Sequence, residues 1–167
     1  MQTLWRKTME SGASLVAILE GPGGPDHNIV GANITGVSHK KIKEMGQCHG
    51  KQFKGALRTA LAITDEGDLF EKYGVENYLT AYGLSVHPDY HGLEIGYKLL
   101  ESREYVCKEL DLKMTGTVFT AAASQHLAKK AGFEVVVERE FKDYNVNGIV
   151  YFPNMPGKLM LMAKTYS

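Results

Sequence analysis

Residues 78–96 read YLTAYGLSVHPDYHGLEIG, and this stretch decides the fold. Its first half, Tyr78 to Val86, is apolar and β-prone enough to make a strand at the centre of a sheet. Pro88 biases His87 away from helical dihedrals, so HPDYH at 87–91 is a turn. Beyond it Ile95, Leu99, Val106 and Leu110 mark an apolar stripe and predict a long helix from about Leu93 to Leu110. A helix that starts directly after a strand presents unpaired backbone N–H groups and the positive end of its dipole. That combination suits phosphate, and Gly92 permits close approach of backbone to ligand. The stretch is not a P-loop, because no Gly-Lys-Ser/Thr follows, and GxGxxG is absent.

On the N-terminal side, Leu4, Trp5 and Met9 give a weak helical face that Gly12 ends. Ser14–Glu20 and Asn28–Val37 read as two antiparallel strands joined through GPGGPDH. Gly31 interrupts the second strand and marks a bulge or a close backbone approach. Residues 38–54 are polar and read as a surface crossover. Leu57, Leu61, Leu69, Phe70 and Tyr73 then recur at roughly helical spacing, weakened at Gly67 and stopped at Gly74. On the C-terminal side come a strand at Lys113–Phe119, a short helix at Ser124–Ala131, a strand at Phe133–Phe141, and a last strand at Leu159–Tyr166. The order β-β-α-β-α-β-α-β-β requires a mixed sheet with helices on its faces, a three-layer α/β domain.

The 167 residues suit one domain with a real core. Lys plus Arg and Asp plus Glu are both 19, a balance that gives no support for nucleic-acid binding. No apolar run is long enough for a membrane span, and the start lacks the pattern of a signal peptide. Cys48 and Cys107 form no CxxC or disulfide framework, so a reducing, cytoplasmic setting is expected. His87 and His91 flank Asp89, but they precede the helix and make no HExxH, so no metal is expected.

LSVHPDYHGLEIGYKLLES resembles the cofactor-binding motif of the GNAT superfamily of N-acetyltransferases: Gln or Arg, two residues, Gly, one residue, then Gly or Ala. The LSVHPDYHG opening, the TVFT…S…AKKAGFE segment and the late FP loop before KLM are similar to insect arylalkylamine N-acyltransferase-like proteins, along nearly the whole chain from Leu4. The resemblance implies a GNAT-like three-layer fold, a mixed central sheet with helices on both faces. It also implies acyl transfer from acetyl-CoA or another acyl-CoA to a small primary amine, an arylalkylamine for instance, by direct attack and without a metal. Leu84, Ser85 and Val86 would pair with the pantetheine arm near a splay between strands. His91, Gly92, Leu93, Glu94, Ile95 and Gly96 would wrap the pyrophosphate; apart from the resemblance, Lys129 and Lys130 are candidates for the cofactor phosphates or for solvent. Ser124, with Thr120 second, would lie at the thiol end and serve as the catalytic hydroxyl.

Four departures qualify that expectation. His91 stands where Gln or Arg is usual and can still donate to phosphate. Glu94 stands at the middle glycine; glutamate suits helical dihedrals, so the expected cost is electrostatic, a carboxylate competing with phosphate for the same amides or pointing to solvent. The tyrosine that many members place four residues before the glycine of the GF pair is Ala128 here. The usual N-terminal strand and helices are largely missing from this sequence, which suggests a truncated domain whose open side self-association or a partner would cover. The alternative function is a GNAT-fold binding or structural protein with a weakened CoA site. Outside the motif, Glu66 and Asp68 sit where an acidic residue would attract an amine, Tyr82 and Tyr90 are candidates for a pocket rim, and His126 reads as a half-exposed helix residue.

Overall fold

The computed structural model describes residues 6, 8–21, 24–40 and 51–167. Six strands form one sheet in the order β1-β2-β3-β4-β8-β5: β1 (Leu15–Gly21), β2 (Gly24–His39), β3 (Asn77–Val86), β4 (Met114–Phe119), β8 (Lys158–Thr165) and β5 (Glu134–Glu140). Among the described residues only β3 and β4 run parallel; every other neighbouring pair is antiparallel. The expected mixed sheet is therefore present, with β3 inside it. A small hairpin, β6 (Asn145–Val146) and β7 (Ile149–Val150), lies outside the sheet and was not expected.

Helices α1 (Lys51–Gly67) and α2 (Leu69–Tyr73) cover one face, and α3 (Ile95–Glu101), α4 (Arg103–Glu109) and α5 (Ala122–Lys130) cover the other. Strand β8 shows how the layers divide. Leu159, Leu161 and Ala163 pack with Ile63 of α1 and Leu69 of α2, whereas Met160 and Met162 pack with Leu100 of α3 and Ala128 of α5. A strand buried on both faces is apolar throughout, as LMLMA at 159–163 is.

Three expectations change. The polar crossover gives way to α1 already at Lys51, while its residues 41–50, with Cys48, lie outside the described residues, as do Leu4 and Trp5. The helix expected over 57–74 breaks at Asp68, which adopts a left-handed φ of 31° and accepts a hydrogen bond from the Glu71 amide at 3.3 Å to cap α2. The long helix expected over 93–110 begins two residues later and divides at Ser102 into α3 and α4.

Gly31 does allow a close approach. A Cβ there would lie 3.0 Å from Ile95 Cγ2 and 3.2 Å from Leu99 Cδ1, so its absence lets α3 settle on β2. The strand is also irregular there, since the β1 register shifts between the Ala17–Gly31 and Ile18–Ile29 pairs. This contact fixes where α3 begins relative to the end of β3.

Candidate functional site: a cleft between two parallel strands

Strands β3 and β4 share a single register pair, Leu79 with Thr115. Beyond it they diverge. The pairing of β3 with β2 shifts at the same level: Ile34 opposes Gly83 and Thr35 opposes Ala81, leaving Tyr82 as an extra residue. A bulge of this kind bends its strand and turns it away from a neighbour. From Leu84 to Val86, β3 pairs with Asn33, Ala32 and Gly31 of β2 and has no strand partner on its β4 side among the described residues. One row of its backbone groups therefore faces a gap, as an extended ligand arm requires.

The gap opens into a cavity of about 580 Å3 that reaches both faces of the sheet. Ala60 and Leu61 of α1 line it from one side, Thr120 and Ser124 from the other, and Tyr82 and Leu84 along β3. The structure thus brings Leu84, Thr120 and Ser124 together. Ser124 Oγ donates to the Ala121 carbonyl at 2.8 Å, in the first turn of α5. Tyr82 lines the cavity, and Tyr90 instead packs against His87 with ring centroids 5.8 Å apart.

Arg103 was not anticipated. It is 1% exposed, lines the cavity, and has no carboxylate partner among the described residues. Nε donates to Asn33 Oδ1 at 2.8 Å and Nη1 to Thr115 Oγ1 at 3.3 Å. The guanidinium lies 5.6 Å and 6.0 Å from the ring centroids of Phe133 and Phe119. Burial pushes its pKa down to about 10, which still leaves it charged at neutral pH. A signal was present in the sequence: position 103 falls four residues after Leu99 and four before Cys107, on the buried stripe. Cys107 is a buried thiol, and burial raises its pKa to about 11.

The turn after β3 has the expected strand-turn-helix form, with two corrections. Gly92 takes φ 81°, and Glu94 takes φ 59°, ψ 12°, the left-handed region that a residue bearing a Cβ avoids. Glu94 therefore does not sit in helical dihedrals, and a backbone cost does arise where the pattern has glycine. Nor does its carboxylate bond the first-turn amides. It pairs with Lys130 of α5, whose Nζ lies 4.5 Å from the Tyr97 ring centroid. The Lys130 hydrogen bond holds the Glu94 carboxyl below the usual carboxylate range. Lys129 is exposed on the last turn of α5.

His91 Nε2 lies 2.9 Å from the Val86 carbonyl, so the ring donates there. That leaves Nδ1 of the neutral ring as an acceptor, and donation to phosphate from Nδ1 requires the imidazolium. The acidic candidates lie elsewhere: Glu66 pairs with Arg139 and accepts from Tyr144 Oη, and Asp68 caps α2. His126 is exposed on α5. No group of His, Cys, Asp and Glu able to hold a metal occurs among the described residues, and no described helix is long and apolar enough to cross a membrane.

A mixed sheet opened between two parallel strands, with a helix starting just beyond the longer one, is the architecture of the GNAT-fold acetyltransferases, and the chain belongs to that superfamily. It matches no family model and no curated protein sequence with significance. Among the solved structures it is similar to are several insect proteins. The putative arylalkylamine N-acetyltransferase 7 of the yellow fever mosquito Aedes aegypti superposes with a TM-score of 0.89 at 28% identity, over 98% of this chain and 68% of that one. A mosquito arylalkylamine N-acetyltransferase-like 5b gives 0.83 at 23% identity, over 98% and 79%. The Drosophila melanogaster polyamine N-acetyltransferase that forms N-acetylagmatine gives 0.80 at 16%, again over 98% and 79%. The last two likenesses speak to the fold alone.

Proposed function

We propose that this protein transfers an acyl group from acyl-CoA to a primary amine with an apolar or aromatic body. The observation that carries this reading is the cavity passing between β3 and β4, with β3 backbone on one wall and the Thr120–Ser124 segment at its end. The pantetheine arm would pair with Leu84, Ser85 and Val86. Its pyrophosphate would meet the amides of residues 91–96, with the side chains of His91 and Lys129 nearby. The amine nitrogen attacks the thioester carbonyl, the C–N bond forms, the C–S bond breaks, and the thiolate leaves. The amine proton passes to solvent or to the thiolate. Holding the two reactants in one cleft supplies most of the acceleration. Ser124 would donate to the departing sulfur after turning from the Ala121 carbonyl, and Thr120 is the second hydroxyl at that end.

The lining supports an apolar acceptor over a polycation. Among the described residues Arg103 is the one charged side chain in it, and no carboxylate is present. A buried cation disfavours a second cation nearby, so an amine entering the cleft is pushed toward its neutral, nucleophilic form. The same repulsion acts against agmatine, whose guanidinium stays charged.

A binding protein with a weakened CoA site is the second reading, favoured by the Glu94 carboxylate at the start of α3. The test is calorimetry of the parent and Glu94→Gly with acetyl-CoA, followed by acetyl transfer to tyramine and to agmatine. Transfer to tyramine at a kcat/KM at least about tenfold above that for agmatine is expected. Acetyl-CoA binding with no transfer to either amine would favour the second reading. No binding by either protein would overturn both.

A further inference from the structure

The buried network around Arg103 coincides with the point where the sheet opens. Three β3 carbonyls accept from side chains: that of Leu79, at the one register pair with β4, and those of Ala81 and Gly83 beyond it. Thr115 Oγ1 donates to Leu79 O, Thr117 Oγ1 to Ala81 O, and Asn33 Nδ2 to Gly83 O, each at 2.8 Å. Arg103 touches two of these three donors on their acceptor side, Asn33 at Oδ1 and Thr115 at Oγ1. A guanidinium has five N–H donors and no acceptor. It therefore forces the Asn33 amide to turn its oxygen toward α4 and its NH2 toward Gly83. It likewise occupies a lone pair of Thr115 Oγ1, so that the hydroxyl hydrogen is directed at Leu79.

We infer that Arg103 is a positioning residue of the acyl-CoA cleft, fixing through Asn33 and Thr115 how far β3 and β4 stay apart and where on β3 the cofactor arm can begin to pair. This rests on the acyl-CoA reading above. The logic is one of polarity. With the guanidinium gone, the Asn33 amide can flip and the Thr115 hydroxyl can turn away, and the carbonyls of Leu79 and Gly83 then lose their side-chain donors and are free to take backbone amides instead. The cleft would close from its narrow end. With the guanidinium in place, the carbonyls of Leu79 and Gly83 are held by side chains, and the pantetheine arm meets β3 only beyond Gly83. The charge itself is balanced by two neutral partners and two aromatic faces, an arrangement that costs desolvation without an ion pair in return. Lys would keep the charge but not the planar fork that reaches Asn33 and Thr115 together.

The experiment uses R103K, T115V and the R103K/T115V pair, with R103M added if it folds. Hydrogen exchange of β3 and β4 amides is read without any ligand, and acetyl-CoA affinity is read by calorimetry. For R103K the expected result is a change of about tenfold or more in amide exchange across 79–83 and 115–117, with the β5–β8 amides unchanged. Acetyl-CoA affinity should fall about tenfold, and in turnover the loss should sit in KM for acyl-CoA and not in KM for the amine. T115V should act in the same direction, and the pair should be no worse than the weaker single variant, because both break one network. Parent-like exchange in R103K, or singly additive losses in the pair, would overturn the inference. If the parent itself binds no acetyl-CoA, the functional reading fails, and the exchange and coupling measurements still decide the role of Arg103.

Discussion

Arg103 and Glu94 are both charged side chains beside the path proposed for the cofactor, and they differ in almost everything that decides what a charge does. Arg103 is 1% exposed, meets neutral partners and organises three strands. Glu94 and its partner Lys130 are about half exposed, meet each other, and organise nothing beyond the contact of α5 with the start of α3. A buried charge is costly to strand without partners, whereas an exposed pair is screened by water and salt. The cleft is therefore built to keep one geometry, and the turn is built to be adjustable.

The largest test of this contrast is Asn33→Leu. It leaves Arg103 Nε unpaired in the interior and takes the Asn33 donor from the Gly83 carbonyl at the cavity wall, and urea unfolding should show a loss of about 3 kcal/mol or more. Lys130→Ala should leave the same unfolding curve unmoved within its error. Equal losses would erase the distinction between the two regions. Cys107 gives the next test from the same interior. With its thiol pushed up to about 11, roughly one part in a thousand is thiolate at pH 8, and the sulfur is buried. Peptide mapping should find Cys107 unlabelled by an aromatic disulfide reagent in the parent and labelled in Asn33→Leu at least about tenfold faster.

The difference between the regions also explains what the sequence could and could not tell. The strand at 78–86, the turn at 87–91 and the helix after it follow from periodicity and Pro88, because local preference and tertiary packing agree there. Thr120 and Ser124 were placed near the thiol end by resemblance, and both line the cavity. Arg103 was passed over because it sits on a stripe where apolar residues are expected, and its partners lie far away in the chain at Asn33 and Thr115. Glu94 was misjudged differently. Its dihedrals belong to the residue that usually occupies that position, and reading glutamate by its helix propensity gave the wrong backbone. Lys130 as its partner required knowing that α5 docks beside α3. Non-local juxtaposition was the part beyond reach in each case.

Glu94→Gly and Glu94→Gln separate the two ways in which Glu94 departs from the pattern. Glycine removes both the carboxylate and the left-handed penalty; glutamine removes the charge and keeps the penalty. Acetyl-CoA affinity should rise about threefold to tenfold in both, since the phosphate feels the charge and not the dihedral. Thermal stability should rise in Glu94→Gly alone. Unchanged affinity in both variants would mean that the carboxylate stays turned to Lys130 when the cofactor binds and does not oppose it.

The smallest expected effect is on proton binding at the same pair. Lys130 holds the Glu94 carboxyl below its ordinary value, so the pair's contribution to stability is present above the unfolded carboxylate pKa and is lost as pH falls through the lowered folded value. The loss is thus confined to acidic pH, and around neutral pH the small contribution of this exposed pair does not change. In a carbon-detected titration, Lys130→Met should return the Glu94 carboxyl toward the usual range, and raising the salt should do part of the same in the parent, because both groups face solvent. An Arg103→Lys protein should leave that titration where it was. Movement of the Glu94 carboxyl on changing Arg103 would show that the buried cleft and the exposed turn are coupled electrostatically, and the cofactor path would then have to be treated as one charged site rather than as a rigid cleft with an adjustable mouth.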